Sequence, residues 1–167
     1  GNDTQTLTVT VNDVNDAPML TSNGGGATAS VSIDENSKAI TTVTATDEDT
    51  LPAPDTLKYS LAGGADQALF TIDESTGALA FIAAPNFEAP VGGDNSYEVI
   101  VQVSDGVGGT DSQTLTVTVN DVNDAPVITS NGAGMAAAVT VAENSLAVAD
   151  VDATDADLTA GLTYSIV

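Results

Sequence analysis

Apolar and polar residues alternate along much of this chain with a period of two. In "TLTVTV" (Thr6–Val11), Leu7, Val9 and Val11 fall on one side and Thr6, Thr8 and Thr10 on the other, the signature of a half-buried strand. The same reading fits Val31 with Ile33, Leu57 with Tyr59 and Leu61, and Tyr97 with Val99, Val101 and Val103. Helical spacing is nowhere sustained. Gly and Pro punctuate the runs at "NGGG", "LPAP", "STG", "APVGG" and "GVGG", so the strands are short and joined by turns. The pattern predicts an all-β chain. Its core would draw on Val31, Ile33, Val43, Leu57, Tyr59, Leu69, Phe70, Ile72, Leu79, Phe81, Val99, Val101, Val103, Leu115, Val117 and Val119.

The alternation is itself repeated. "GNDTQTLTVTVNDVNDAP" (Gly1–Pro18) returns as "GTDSQTLTVTVNDVNDAP" (Gly109–Pro126), an interval of 108 residues with two differing positions. Downstream, "TSNGGGATASVSIDENS" returns as "TSNGAGMAAAVTVAENS" and "ATDED" as "ATDAD". The copies then shift by three, because "TLPAPDTLKYS" is longer than "LTAGLTYS". A unit of this length with about seven short strands predicts a Greek-key β-sandwich, immunoglobulin-like and in tandem. Residues 1–16 read as the last strand and linker of a preceding module, 17–124 as one complete module, and 125–167 as the first strands of an incomplete following one. Since 125–167 lacks the counterparts of Gly63–Gly108, it buries too little surface to close alone and must rely on neighbouring sequence or another chain.

Composition narrows the chemistry. Twenty-four Asp and Glu stand against two cations, Lys38 and Lys58, for a formal charge of −22. That charge repels phosphate backbones and anionic lipid, which excludes nucleic acid as a partner; no apolar run is long enough to predict membrane insertion. High charge also marks disordered chains, but the sustained alternation argues against disorder here. With neither Cys nor His, thiolate nucleophiles, imidazole bases and the usual zinc ligands are missing, leaving oxygen as the donor for a metal.

The oxygen donors gather at the repeated octet "VNDVNDAP". Read as extended backbone, Asp121 and Asn123 point one way and Asp124 the other, so one linker offers oxygens to both flanking modules. Its proline discourages helix or tight turn. Linker composition alone fits an ordinary Asn/Asp-rich loop equally well. Asp47 with Asp49, and Asp155 with Asp157, stand two apart and share a face on extended backbone. Glu35 and Glu143 of "ENS", Glu88 of "NFEAP" and Asp105 of "VSDG" add to the count. Each alone reads as a solvated carboxylate; gathered at module ends they repel one another unless a cation sits among them, and hard oxygen ligands suit Ca²⁺. "IDESTG", with Asp73 and Gly77, reads as a hairpin turn.

In order and spacing, the "EN" after the first strand, "ATDED", "YSLAGGADQALFTIDESTGAL", "PNFEAP", "VSDG" and "VNDVNDAP" resemble a cadherin-type repeat, of the kind found in very large bacterial surface proteins. The resemblance implies Ca²⁺ at the junctions between modules. At the second junction it implies Glu35 and Glu88 from the complete module, Asp121, Asn123 and Asp124 from the linker, and Asp155 and Asp157 from the next module, with backbone carbonyls of Val122 and Ala125. At the first, Asn15 and Asp16 would meet Asp47, Asp49 and Asp105, with Asp13 nearby; the preceding module's glutamates are missing, so ions there would bind weakly or not at all. Two departures stand out: Asn86 occupies the place of a frequent aspartate, weakening the outermost ion, and the linker is one residue shorter before its proline than in animal cadherins. The resemblance further implies an extracellular or cell-surface protein in adhesion, biofilm or filament formation, with neighbouring repeats as partners. Head-to-tail self-association, and a surface polysaccharide or protein ligand, remain open partners. A carbohydrate-binding module is the alternative function, set back by an aromatic content of 4%. An enzyme is not expected, because the richest carboxylate cluster lies at a repeated junction rather than in a unique cleft.

Overall fold

The computed structural model describes residues 1–49, 56–134, 136–157 and 161–166. The "LPAP" turn and part of the variable loop, at 50–55 and 158–160, lie outside them. Among the described residues, nine strands form between Met19 and Asn120: β1 (Met19–Leu20), β2 (Thr28–Asp34), β3 (Ala39–Thr42), β4 (Ala45–Thr46), β5 (Lys58–Gly63), β6 (Phe70–Ile72), β7 (Ala78–Phe81), β8 (Ser96–Ser104) and β9 (Thr110–Asn120). One sheet has the order β2-β9-β8-β5, a second β3-β7-β6, and β1 pairs with β4. The two sheets face each other as a β-sandwich.

The period of two decides the packing. β8 and β9 pair antiparallel from Ser96↔Thr118 to Ser104↔Thr110, turning Tyr97, Val99, Val101, Val103, Leu115, Val117 and Val119 inward, all buried. Phe70, Leu79 and Phe81 meet them from the opposite sheet. Phe81 stacks on Phe70 at 4.6 Å and meets Tyr97 edge-on at 5.3 Å. Each such side chain contributes about 1.5–3 kcal/mol on burial. The expected core residues are all buried or half-buried, and Leu20 and Tyr97 join them. Gln113 is a buried polar exception. Its Nε2 donates to the Gly26 carbonyl at 2.8 Å and its Oε1 accepts from Asn23 Nδ2 at 3.5 Å, so its burial is compensated.

One expectation fails. "TLTVTV" at Thr6–Val11 forms no strand, and Leu7, Val9 and Val11 are 80%, 75% and 90% exposed, whereas the same residues in β9, Leu115, Val117 and Val119, are 0%, 0% and 1% exposed. The difference is tertiary. β9 is bonded on both sides, to β2 and β8, and the counterparts of those partners for residues 6–11 would precede them in repeat order. A lone strand has no ladder to satisfy its backbone.

Beyond Asn120 the first steps of the fold recur. β10 (Val127–Ile128) pairs antiparallel with β11 (Ala153–Thr154), as β1 pairs with β4 108 residues earlier. Asn131 and Asn144 take φ of 53° and 63°, matching Asn23 at 53° and Asn36 at 62°.

The topology sets the candidate site beside β9. Parallel pairing runs from Thr28↔Thr114 to Asp34↔Asn120, and the Glu35 amide then bonds the Asn120 carbonyl at 3.0 Å. Glu35 is thereby fixed at the start of the second linker. At the other end of β9, the Leu20 amide donates to Asp111 Oδ2 at 2.8 Å, tying β1 to it.

Candidate metal centre

Among the described residues, five carboxylates converge at the second linker. Single oxygens of Glu35, Glu88 and Asp121 lie within 4.8 Å of one another, and so do those of Glu88, Asp124 and Asp157. Glu88 is common to both groups. Glu35 is buried and held from two directions, its Oε2 accepting from the Phe87 amide at 2.9 Å and its Oε1 from the Val122 amide at 3.0 Å. It clamps the Glu88 loop to the linker. Across the linker, Asp157 accepts from the Asp124 amide.

Several oxygens in this cluster lack compensation. Both Glu88 oxygens and Asp157 Oδ1 are buried without a hydrogen-bond partner. The two lysines are committed elsewhere: Lys38 Nζ donates to the Ile82 carbonyl at 2.8 Å, and Lys58 pairs with Glu74 at 2.6 Å. Glu88's own amide draws its pKa down without reaching hydrogen-bond geometry, but burial and the carboxylates of Asp157 and Glu35 outweigh it and leave the pKa raised. Asp121 is also raised, by burial first and then by Asp157, Glu35 and Asp124. Buried, unpartnered carboxylate oxygens from two stretches of chain, Glu88 and Asp157, fit a hard divalent cation.

Asp155, Asn123 and Asn86 make local hydrogen bonds. Asp155 Oδ1 accepts the Asp157 amide at 3.1 Å, so the pair is held by a local turn and not by extended backbone. Asn123 Nδ2 donates to the Asp124 carbonyl at 2.6 Å. Asn86 Oδ1 accepts the Ala89 amide at 2.6 Å, capping the loop that presents Glu88. Sequence reasoning missed the Phe87 and Val122 amides as anchors of Glu35; backbone donors carry no sequence signal.

The first linker is built differently. Asn15 Nδ2 donates to Asp105 Oδ2 at 2.9 Å, and the Asp16 amide donates to Asp49 Oδ2 at 2.8 Å. Asp105 is buried and also accepts from the amides of Val107, Gly108 and Gly109 at 2.8–3.0 Å. The Asn15 bond, with those amides against the cost of burial, lowers its pKa. Asp47 Oδ1 accepts the Asp49 amide at 3.0 Å, again a local turn, and its Oδ2 is buried without a partner. The Asp16 amide draws Asp49 down, but burial and then Asp47, Asp13 and Asp16 leave it raised. Asp13 is exposed. No group of three converging carboxylates forms here among the described residues. Gly109 makes the close approach feasible: a Cβ there would lie 2.2 Å from Asp105 Oδ2, 2.8 Å from Ala17 Cα and 3.0 Å from the Asp16 carbonyl oxygen.

A family profile described as Cadherin domain matches residues 29–120, more than half the chain. Among solved structures, the human Desmocollin-1 ectodomain is 23% identical over 86% of this chain and 27% of its own, with a TM-score of 0.54. Human Protocadherin-24 EC1-2 is 22% identical over 69% of this chain and 48% of its own, with a TM-score of 0.50. Protocadherin Gamma B2 extracellular cadherin domains 3-6 gives 21% identity over 84% and 31%, with a TM-score of 0.51. The chain thus spans about half or less of these solved chains, and at such identities they share its fold. No curated protein matches it in sequence. From the profile match together with the sandwich, the chain belongs to the cadherin family.

Proposed function

We propose that this chain is a calcium-stiffened segment of an extracellular adhesive stalk of the bacterial surface type, divided into modules at 1–16, 17–124 and 125–167. The observation that carries the reading is the set of buried, unpartnered oxygens of Glu88 and Asp157, contributed from the two sides of a linker that itself supplies Asp121 and Asp124. Glu35, Glu88, Asp121, Asp124 and Asp157 would hold the ion or ions. Ca²⁺ would supply positive charge for which the lysines are not placed. Asp121 would provide the third carboxylate beside Glu35 and Glu88 that Asn86 does not, since the Asn86 oxygen is taken by the Ala89 amide.

This chain's own residues explain how an ion would stiffen the junction. Glu35 is rigid on the sandwich and already bonded to the linker through Val122; Asp157 reaches back from the following segment to the Asp124 amide. Neutralising the carboxylates removes the repulsion that would let these parts separate. A site binding at about 10⁻⁴ M in about millimolar calcium gains about 1.4 kcal/mol, and sites that share Glu88 would couple. The first linker, latched by the Asn15–Asp105 and Asp16–Asp49 bonds, would need calcium less. A polysaccharide-binding reading gains no support from Phe70, Phe81 and Tyr97, which pack in the core.

Calorimetric titration of the chelator-treated chain with CaCl₂ tests the reading. Uptake at the second linker, lost in Glu88→Gln, supports it. No heat, or uptake indifferent to Glu88, overturns it.

A further inference from the structure

A chain with a net charge of −22 carries a long neutral stretch into its sandwich: residues 17–33, "APMLTSNGGGATASVSI", include no Asp, Glu, Lys or Arg. The stretch ends in β2, an outer strand of the sheet β2-β9-β8-β5. With Thr28 opposite Thr114 and Asp34 opposite Asn120, the bonds to β9 come from the odd positions of β2 and its flanks, such as the Ala27 carbonyl to the Thr114 amide at 2.9 Å and the Glu35 amide to the Asn120 carbonyl at 3.0 Å. The amides and carbonyls of Thr28, Ser30, Ser32 and Asp34 therefore face away from β9. Among the described residues, no strand and no turn bonds them, and all four positions are exposed.

Unpaired edges invite a further strand, and native sheets blunt them with bulges, charges or shortness. The other outer strands of this sandwich are blunted in these ways. β3 has a register shift between Ala39 and Thr41, and β6 has three residues. β5 has a shift between Leu61 and Gly63, its Lys58 pairs with Glu74, and its Tyr59 amide is taken by the Glu74 carbonyl at 2.9 Å. β2 instead runs seven residues in unbroken register, without proline and without charge before Asp34.

We propose that β2 pairs antiparallel with β2 of a second copy of this chain, across a two-fold axis at Val31, so that one sheet continues through two sandwiches. The proposal rests neither on calcium nor on the division into modules.

The strand is complementary to itself in this arrangement. Val31 lies opposite its own copy, Ala29 opposite Ile33, Ser30 opposite Ser32 and Thr28 opposite Asp34, so every outward amide and carbonyl meets another. Ala29 and Val31, half-buried against the core, stay on the core side in both copies. Charge selects the same strand as partner. A cationic surface would find nothing to hold between residues 17 and 33, whereas two neutral edges meet with little repulsion. The two Asp34 residues, offset from each other by the interval from 28 to 34, stand about 20 Å apart at about 3.3 Å per residue, more than two Debye lengths at physiological salt. Because β2 runs toward Glu35 at the second linker, the paired chains lie side by side in opposite directions. One strand pair buries little area, so the association is weak.

The chain has no cysteine, so a single substitution gives a clean cross-link. Opposed residues of a non-hydrogen-bonded antiparallel pair have Cα atoms about 4.5 Å apart, within disulfide reach. Val31→Cys is expected to give a covalent dimer on air oxidation, and Thr28→Cys, about 20 Å from its own copy by the same spacing, at least tenfold less. Sedimentation of the unmodified chain should show monomer giving way to dimer as concentration rises, more so at about 0.5 M NaCl than at low salt, because screening relieves the repulsion between acidic chains. Ser30→Pro removes an outward N–H that β9 does not use, a place where an edge strand tolerates proline; it should abolish the dimer while the sandwich melts unchanged. Monomer at every concentration, equal cross-linking from Val31→Cys and Thr28→Cys, or association that survives Ser30→Pro overturns the proposal. All arms run in chelator, so their failure leaves the calcium titration standing, and the converse holds.

Discussion

Val9 and Val117 occupy the same position of an identical seven-residue sequence, so truncating each to alanine isolates what tertiary context contributes. Val117 is fully buried between the sheets and Val9 is 75% exposed. Val117→Ala removes two buried methyl groups at about 0.8 kcal/mol each, and incomplete collapse of the cavity adds about 1 kcal/mol, for a loss of about 2–3 kcal/mol. Val9→Ala should stay within about 0.5 kcal/mol, the range of surface substitutions. For a sandwich of this size each kcal/mol moves Tm by about 4–8 °C, so Val117→Ala should melt about 10–20 °C lower and Val9→Ala within a few degrees of the parent. Thermal and urea unfolding followed by circular dichroism reads both. Equal losses for the two variants would refute the claim that partner strands, and not local sequence, make β9 a strand.

Glu88→Gln removes the carboxylate common to both acidic groups at the second linker and should weaken calcium binding at least tenfold by calorimetry, while sparing the calcium-free fold. Gly109→Ala should cost about 1–3 kcal/mol by overpacking, because its Cβ would meet Asp105 and the linker backbone at 2.2–3.0 Å; amide exchange at Asp16 should quicken with it. In chelator, stability should peak in mild acid. Glu88, Asp121 and Asp49 have raised pKa values, so their contribution is full below the ordinary carboxylate range, about pH 4, and is lost as pH rises through the folded-state values. Asp105 and Asp73 are lowered, Asp105 chiefly by Asn15 and Asp73 by the Thr76 amide and hydroxyl; their contribution is present above that range and lost as pH falls through the folded values. Calcium should flatten the loss toward neutral pH, which unfolding curves from pH 3 to 8 would record.

The strands of the sandwich were legible because a half-buried strand writes its burial into alternate residues, as at Tyr97–Val103 and Leu115–Val119. The same signal misled at Leu7–Val11, where alternation records what a strand can bury but not whether its neighbours are at hand. The repeat and the family pattern drew Glu35, Glu88, Asp121, Asn123, Asp124, Asp155 and Asp157 to one junction, and the carboxylates of Glu35, Glu88, Asp121, Asp124 and Asp157 do converge there. Their anchoring by the Phe87 and Val122 amides was not, because any residue but proline offers that donor. Asp47 with Asp49 and Asp155 with Asp157 were read as extended pairs, yet the Asp side chain bonds the amide two residues on, a local competition that aspartate often wins at strand ends.

A crystal structure of the chain grown in calcium tests the central claim most directly. The account predicts calcium density at the second linker, ligated by oxygens of Glu88 and Asp157 together with Glu35, Asp121 or Asp124. Those carboxylates turned apart into solvent, with no ion between them, would contradict it.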